Sequence, residues 1–107
     1  MAFKSELEIV DNVAKITLSG ELDAAAAPAF RADVEKAAEA KVKSLVLLMS
    51  DLEYMASAGL RVLIFAKQKM GSAVDIYVIA AQEAVRETIE MTDFQQSVIL
   101  QDKYRPI

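Results

Sequence analysis

The stretch LVLLMSDLEYMASAGLRVLIFAKQKMG, residues 45–71, holds the pattern that decides the fold. It starts with a continuous apolar run, Leu45–Met49, which is typical of a strand covered on both faces. Residues 50–53 predict a loop. From Ser57 to Met70 the apolar side chains return every three or four residues, and Gly71 stands where a helix C-terminal cap favours glycine. The stretch therefore predicts a buried strand, a loop and a helix.

The alternation of strand and helix extends to both sides of this stretch. On the N-terminal side, Phe3–Val10 and Val13–Leu18 flank the turn residues Asp11 and Asn12, which predicts an antiparallel hairpin. An alanine-rich helix follows, with Pro28 in its first turn, where proline is tolerated. On the C-terminal side the pattern predicts a strand at Val74–Ala80, a helix at Gln82–Met91 and a short strand at Ser97–Leu100.

The predicted order is β-β-α-β-α-β-α-β, within a single domain over residues 1–107. This order predicts an α/β fold with a mixed, mostly parallel sheet, an N-terminal antiparallel hairpin and helices packed on the sheet. Residues 101–107 are left unassigned. The side chains expected to face the core are Ala14, Ile16, Leu18, Phe30, Val34, Ala37, Ala38, Val62, Leu63, Ala66, Met70, Val85 and Ile89.

Composition excludes most catalytic functions. The chain has no His and no Cys, so it can build neither a Ser-His-Asp triad, nor a thiol nucleophile, nor the usual zinc sites. We expect no enzyme activity, no cofactor and no metal. The net charge of −4, without a stripe of Lys and Arg, argues against binding to nucleic acid or to an anionic membrane surface.

The chain also carries no targeting or membrane signal that we recognise. Its first residues, MAFKSE, lack the apolar region of a signal peptide, and no apolar run approaches the roughly 20 residues that span a bilayer. We expect a cytoplasmic protein.

Two segments are candidates for the functional site, Gly20–Asp23 and Tyr54–Leu60. In open α/β sheets, ligands bind at the loops that leave the carboxyl ends of the strands. Both segments follow predicted strands, and they share one end of the sheet only if those strands run parallel.

Ser57 has two interpretations. It stands where a helix begins, so its hydroxyl is close to free N–H groups and to the positive end of the helix dipole, which suits a phosphate. Alternatively it is only an N-cap, and the local sequence alone favours that interpretation because serine is common there. A nucleophilic serine is rejected, because Met55 replaces the first glycine of G-x-S-x-G and no His is available as base. Asp51, after a buried strand, makes a response-regulator fold the weaker alternative.

The exposed side of the second helix raises a further question. Helical spacing places Ser57, Arg61, Phe65 and Gln68 on one face. Phe65 is either an exposed aromatic of a docking surface or the edge of the buried stripe, and the sequence leaves both open. Asp23 either caps the first helix or places negative charge near Ser57.

Three motifs together resemble the STAS family, and specifically its anti-sigma factor antagonists. They are GELD at residues 20–23, LVLLMSDL at 45–52 and YMASAGLRVL at 54–63, and the resemblance covers nearly the whole chain. The resemblance implies a protein that binds an anti-sigma factor, which is also a serine kinase of the GHKL type. That kinase phosphorylates the serine two residues before the signature glycine, here Ser57, and the modified protein is released. A phosphatase of the PP2C type resets it.

The implied partner-binding residues surround Ser57. They are Asp23, Met55, Ala56, Ala58, Gly59, Arg61 and Phe65. The chain departs from the usual D-S-S-G signature, because Ala56 and Ala58 flank Ser57, and position 56 lacks the acid that precedes the serine in that signature. The alternatives are a STAS scaffold that is not phosphorylated and a domain that senses a nucleotide or a lipid. Family members usually close with another helix, for which residues 101–107 leave little room.

Overall fold

Five strands form one sheet in the order β1-β2-β3-β4-β5, and three helices join its parallel strands. The computed structural model describes residues 2–106; Met1 and Ile107, which the predicted domain includes, lie outside the described residues. The elements are β1 Lys4–Val10, β2 Val13–Leu22, α1 Ala27–Glu39, β3 Ser44–Met55, α2 Ser57–Met70, β4 Asp75–Ile79, α3 Glu83–Glu90, a 3-10 turn Phe94–Gln96 and β5 Ile99–Gln101. The predicted order and fold class are confirmed.

The hairpin is the antiparallel part of the sheet. β1 pairs with β2 through a two-residue turn at Asp11 and Asn12, whose φ angles are 51° and 66°. Asp and Asn tolerate this left-handed conformation better than most residues, and such turns match the twist of the two strands. The pairs β2–β3, β3–β4 and β4–β5 are all parallel.

The helices cover one face of the sheet. Each links two parallel strands that are neighbours, and connections of this kind are right-handed, which places successive helices on the same side. The main core accordingly combines one face of the strands with the inner sides of α1, α2 and α3. The buried stripes predicted for the helices are confirmed, except that Ala38 and Met70 are only half-buried.

Two predicted loops are strand in the structure. Residues 20–22 belong to β2 and residues 50–55 belong to β3, because the parallel pairing of the two strands continues to Leu22 opposite Met55. The register shifts on the way, between Thr17 and Ser19 and again between Gly20 and Glu21. Gly20, at a φ of 82°, supplies the backbone conformation that such an irregularity needs. The paired ends of β2 and β3 form a two-stranded ribbon. The polar residues that predict a loop at 50–53 lie on the exposed side of this ribbon.

The second half of the chain differs less from its prediction. β4 and α3 are each one residue shorter at both ends than predicted, and β5 begins two residues later, after the 3-10 turn. Ala80, directly after β4, has a φ of 57°, which ends the extended conformation of the strand. Within residues 2–106, no helix is both long enough and apolar enough to cross a membrane.

The chain's last residues cover part of the other face of the sheet. There Val46, Tyr77 and Ile79 form a small second cluster, against which Tyr104 packs. The rings of Tyr77 and Tyr104 meet edge to face with centroids 5.1 Å apart, and Lys15 Nζ lies 5.5 Å from the Tyr104 centroid. Residues 101–106, part of the segment left unassigned from the sequence, therefore supply a cover for the second cluster through Tyr104.

A side-chain clamp holds this cover in place. The Gln101 amide donates to the Arg105 carbonyl and accepts from the Arg105 N–H, both at 2.9 Å. Burial, and then the neighbouring Tyr77, raise the pKa of Tyr104 above its usual 10.0. The folded state therefore holds this proton more tightly than the unfolded chain. The contribution is complete below about pH 10 and is lost at higher pH.

We predict that Tyr104→Ala lowers the free energy of unfolding by about 1 to 2 kcal/mol, because it removes an aromatic pair and uncovers apolar surface. Arg105→Ala is the matched control, since its exposed side chain leaves the backbone clamp intact. Urea unfolding followed by circular dichroism measures both. Equal stability of Tyr104→Ala and wild type would contradict a structural role for this cover.

Candidate functional site

The parallel pairing of β2 and β3 brings the two predicted segments together. Leu22 lies opposite Met55 at the end of the ribbon, and the Ala56 N–H donates to the Leu22 carbonyl at 2.8 Å. Asp23 and Ser57 each follow this bonded pair by one residue. The expectation that both segments share one end of the sheet is confirmed.

Ser57 is the first residue of α2 and not its cap. The cap position belongs to Ala56, whose backbone is extended and whose carbonyl accepts from the N–H groups of Gly59 and Leu60 at 3.0 and 3.2 Å. Ser57 is exposed, and its hydroxyl makes no hydrogen bond to any residue of the described chain. The capping interpretation is therefore wrong. The hydroxyl is open to solvent and to an incoming reagent.

The surroundings of this hydroxyl suit a negative charge. Ser57 and Ala58 occupy the first turn of α2, where backbone N–H groups have no carbonyl partner within the helix. These groups and the helix dipole favour an anion at this end. Ala56 and Ala58, both half-buried, flank the serine. Its neighbours in the chain therefore present only small side chains.

Asp23 organises the start of the first helix. Its Oδ1 accepts from the Ala26 N–H at 2.9 Å, and its carbonyl accepts from the N–H groups of Ala26 and Ala27 at 3.2 and 3.0 Å. The interpretation of Asp23 as an orienting residue for this helix is confirmed. Asp23 is also exposed. Because the ends of β2 and β3 are paired, its charge lies on the same edge of the sheet as Ser57.

Two of the predicted partner-binding residues lie beneath the surface. Met55 is 1% exposed and Gly59 is buried, so neither presents a side chain to a partner. A Cβ on Gly59 would lie 2.7 Å from Leu22 Cγ and 3.0 Å from Met55 Cγ. Both residues support the site from beneath, since the missing side chain of Gly59 lets the start of α2 lie directly on the ends of the strands.

A cleft of about 290 Å³ opens beside Ser57, between the first turns of α1 and α2. Small residues line it, among them Ala24, Ala27 and Ala58, and so do two arginines, Arg31 and Arg61. Sequence reasoning did not assign Arg31 to the site. It missed this residue because the partner of Arg31 is on another helix, and no spacing within one element reveals such a contact.

Arg31 lies over Phe65. The guanidinium carbon is 4.1 Å from the ring centroid, and Arg31 Nε lies 3.7 Å from Glu35 Oε1. Phe65 is half-buried and packs against the main core. Of the two interpretations, the edge of the buried stripe is therefore the correct one, and Arg31 covers part of the ring. Arg61 remains exposed at the neighbouring position of the cleft.

Comparison with known proteins gives consistent results. A family model described as the STAS domain matches residues 4–105. RsfB, an anti-sigma-F factor antagonist of Mycobacterium tuberculosis, is 27% identical over 81 residues, which are 76% of this chain and 66% of RsfB. The aligned part is thus a little under two thirds of that relative's length.

Solved structures show the same fold. The crystal structure of an anti-sigma factor antagonist from Mycobacterium paratuberculosis has a TM-score of 0.87 at 26% identity, covering 95% of this chain and 87% of that chain. SpoIIAA of Bacillus in its phosphorylated form has a TM-score of 0.70 at 19% identity, covering 92% of this chain and 90% of that chain. At such low identity the SpoIIAA likeness shows the fold alone.

We predict that Gly59→Ala lowers the free energy of unfolding by about 1 to 3 kcal/mol, because its Cβ overpacks against Leu22. In a Leu22→Ala background the same change should cost less than half as much, since the two nearest obstructing atoms are gone and only Met55 Cγ, at 3.0 Å, remains. Urea unfolding of the two single variants and the double variant gives the coupling. Identical costs in both backgrounds would exclude Leu22 as the cause.

Asp23 allows a second test, of hydrogen bonding against charge. Asp23→Ala removes the acceptor for the Ala26 N–H and should lower stability by about 1 kcal/mol. Asp23→Asn keeps an acceptor and should stay within about 0.5 kcal/mol of wild type. Equal losses in thermal unfolding would show that the charge of Asp23, rather than its hydrogen bond, stabilises the turn.

Proposed function

Because the chain belongs to the STAS domain family, we propose that it acts as an anti-sigma factor antagonist, a binding protein rather than an enzyme. Two observations support the proposal: RsfB and the Mycobacterium paratuberculosis protein are both described as antagonists of this class. Its partner is then an anti-sigma factor, and its place of action is the cytoplasm.

The proposed binding surface lies at the carboxyl ends of β2 and β3. Its accessible members are Asp23, Ala56, Ala58 and Arg61, arranged around Ser57, and Phe65 lies half-buried beneath Arg31 at its edge. The alanines present little side chain, so a partner backbone can approach closely. The two charged residues supply specificity at the rim, where electrostatic contacts mainly govern orientation and association rate.

Phosphorylation of Ser57 is the proposed control. The observation that carries it is the exposed Ser57 hydroxyl at the start of α2, free of any capping bond. A phosphate adds about −1.5 to −2 charges to a close-packed binding surface, where desolvation and the repulsion from acidic neighbours oppose docking. We propose that the anti-sigma factor is itself a serine kinase of the GHKL type, and that a PP2C-type phosphatase reverses the modification.

We predict that Ser57→Asp raises the dissociation constant for the anti-sigma factor by about tenfold to a hundredfold. A like charge placed at an interface costs at most several kcal/mol of binding free energy, and about 1.4 kcal/mol corresponds to a tenfold change in that constant. Ser72→Asp is the matched control: Ser72 is also exposed and lies just past the other end of α2. Pulldown from the source cell lysate, read by mass spectrometry, identifies the partner. Calorimetry with the purified partner then gives the affinities.

Each outcome separates the proposal from an alternative. Equal affinity of Ser57→Asp and wild type would leave a STAS scaffold without control at Ser57. Incubation of the chain with the partner and ATP, followed by mass spectrometry, shows directly whether Ser57 receives a phosphate. Co-purification of a nucleotide or a lipid, with no protein partner, would favour the sensor.

A further inference from the structure

Helix α2 is basic in an acidic protein. Residues 57–70 contain three basic residues, Arg61, Lys67 and Lys69, and no Asp or Glu, whereas the whole chain has a net charge of −4. Side chains three and four positions apart are neighbours on a helix. For Arg61 those neighbours are Ser57, Ala58, Ile64 and Phe65. Ser57 alone among them can acquire a negative charge, and it does so only when it is phosphorylated.

The direction of the side chains favours this pairing. Cα–Cβ bonds in a helix tilt toward its N-terminus, so Arg61 leans toward the turn that carries Ser57. Cβ atoms at this spacing are about 5 to 6 Å apart, which a long arginine side chain spans easily. An anion that precedes a cation by four residues is also the more favourable order.

Arg61 is available for such a pair. It is exposed and forms no ion pair with the part of the chain that is described. The other arginine of the cleft, Arg31, is already held by Glu35 and by the ring of Phe65. Arg61 is therefore the arginine of the cleft that is free to pair with a new anion.

We propose that Arg61 is the internal partner of phosphorylated Ser57, and that this pair withdraws the Arg61 guanidinium from the cleft between α1 and α2. Phosphorylation then changes the binding surface twice, by adding negative charge and by removing a free cation that an acidic group of the partner would otherwise meet. The inference rests on the proposed function for the identity of the phosphorylated residue and for the use of the cleft.

The test requires neither kinase nor partner. Phosphoserine is incorporated at position 57 during translation, and the second ionisation of its phosphate is followed by ³¹P NMR against pH. A nearby guanidinium stabilises the dianion and lowers its pKa. We expect Arg61→Gln to raise the midpoint by about 0.3 to 0.6 pH units, the size of a charge-assisted pair at this spacing.

Two controls make the result specific. Arg86→Gln removes the same charge from an exposed arginine on α3 and should leave the midpoint within about 0.1 unit of the unsubstituted protein. Phosphoserine at position 72 should not respond to Arg61→Gln. An unchanged midpoint in Arg61→Gln, or equal shifts in both arginine variants, would overturn the proposal. Loss of the proposed function would appear separately, as absence of an anti-sigma factor in the pulldown.

Discussion

The continued pairing of β2 with β3 is the constraint on which the site depends. Had β2 ended at Leu18, Asp23 and Ser57 would have lain on two independent loops. The pairing instead carries both strands to Leu22 and Met55, and the Ala56 N–H bonds to the Leu22 carbonyl. The starts of α1 and α2 are therefore both anchored to the same pair of hydrogen-bonded strands. A backbone so fixed holds the two first turns, and the cleft between them, at a constant separation.

Much of this fold follows from the periodicity of the sequence. The continuous apolar run at Leu45–Met49 and the helical stripe of 57–70 each bury a large surface, so no local preference competes with them. The hairpin was equally readable, because Asp11 and Asn12 favour the turn. What periodicity could not show was the ribbon, since its exposed side carries polar residues and its register shifts twice. A shifted register breaks the two-residue alternation by which strands are recognised.

The sequence predicted where the site lies but not the contacts that its residues make. Both segments and Ser57 itself were identified from the sequence, yet local preference assigned the serine a capping role. The Ala56 N–H bonds across to β2 and its carbonyl accepts the first helical bonds, so the helix begins one residue after an alanine. Arg31 was not predicted at all, because its contact with Phe65 exists only once two helices are packed. Tertiary pairing decides such features, and a single sequence carries little trace of it.

The packing beneath Ser57 also limits how a phosphate can act. Gly59 lies against Leu22 with no space for a methyl group, and Met55 is buried next to it. Closely packed interiors resist gradual deformation, so this layer resists transmitting a small group added at the surface as a shift of the helix. The start of α2 is thus a rigid platform whose shape stays constant while its charge changes. On such a platform, the neighbours that decide the outcome are the charged side chains within reach of the serine, chiefly Arg61 and Asp23.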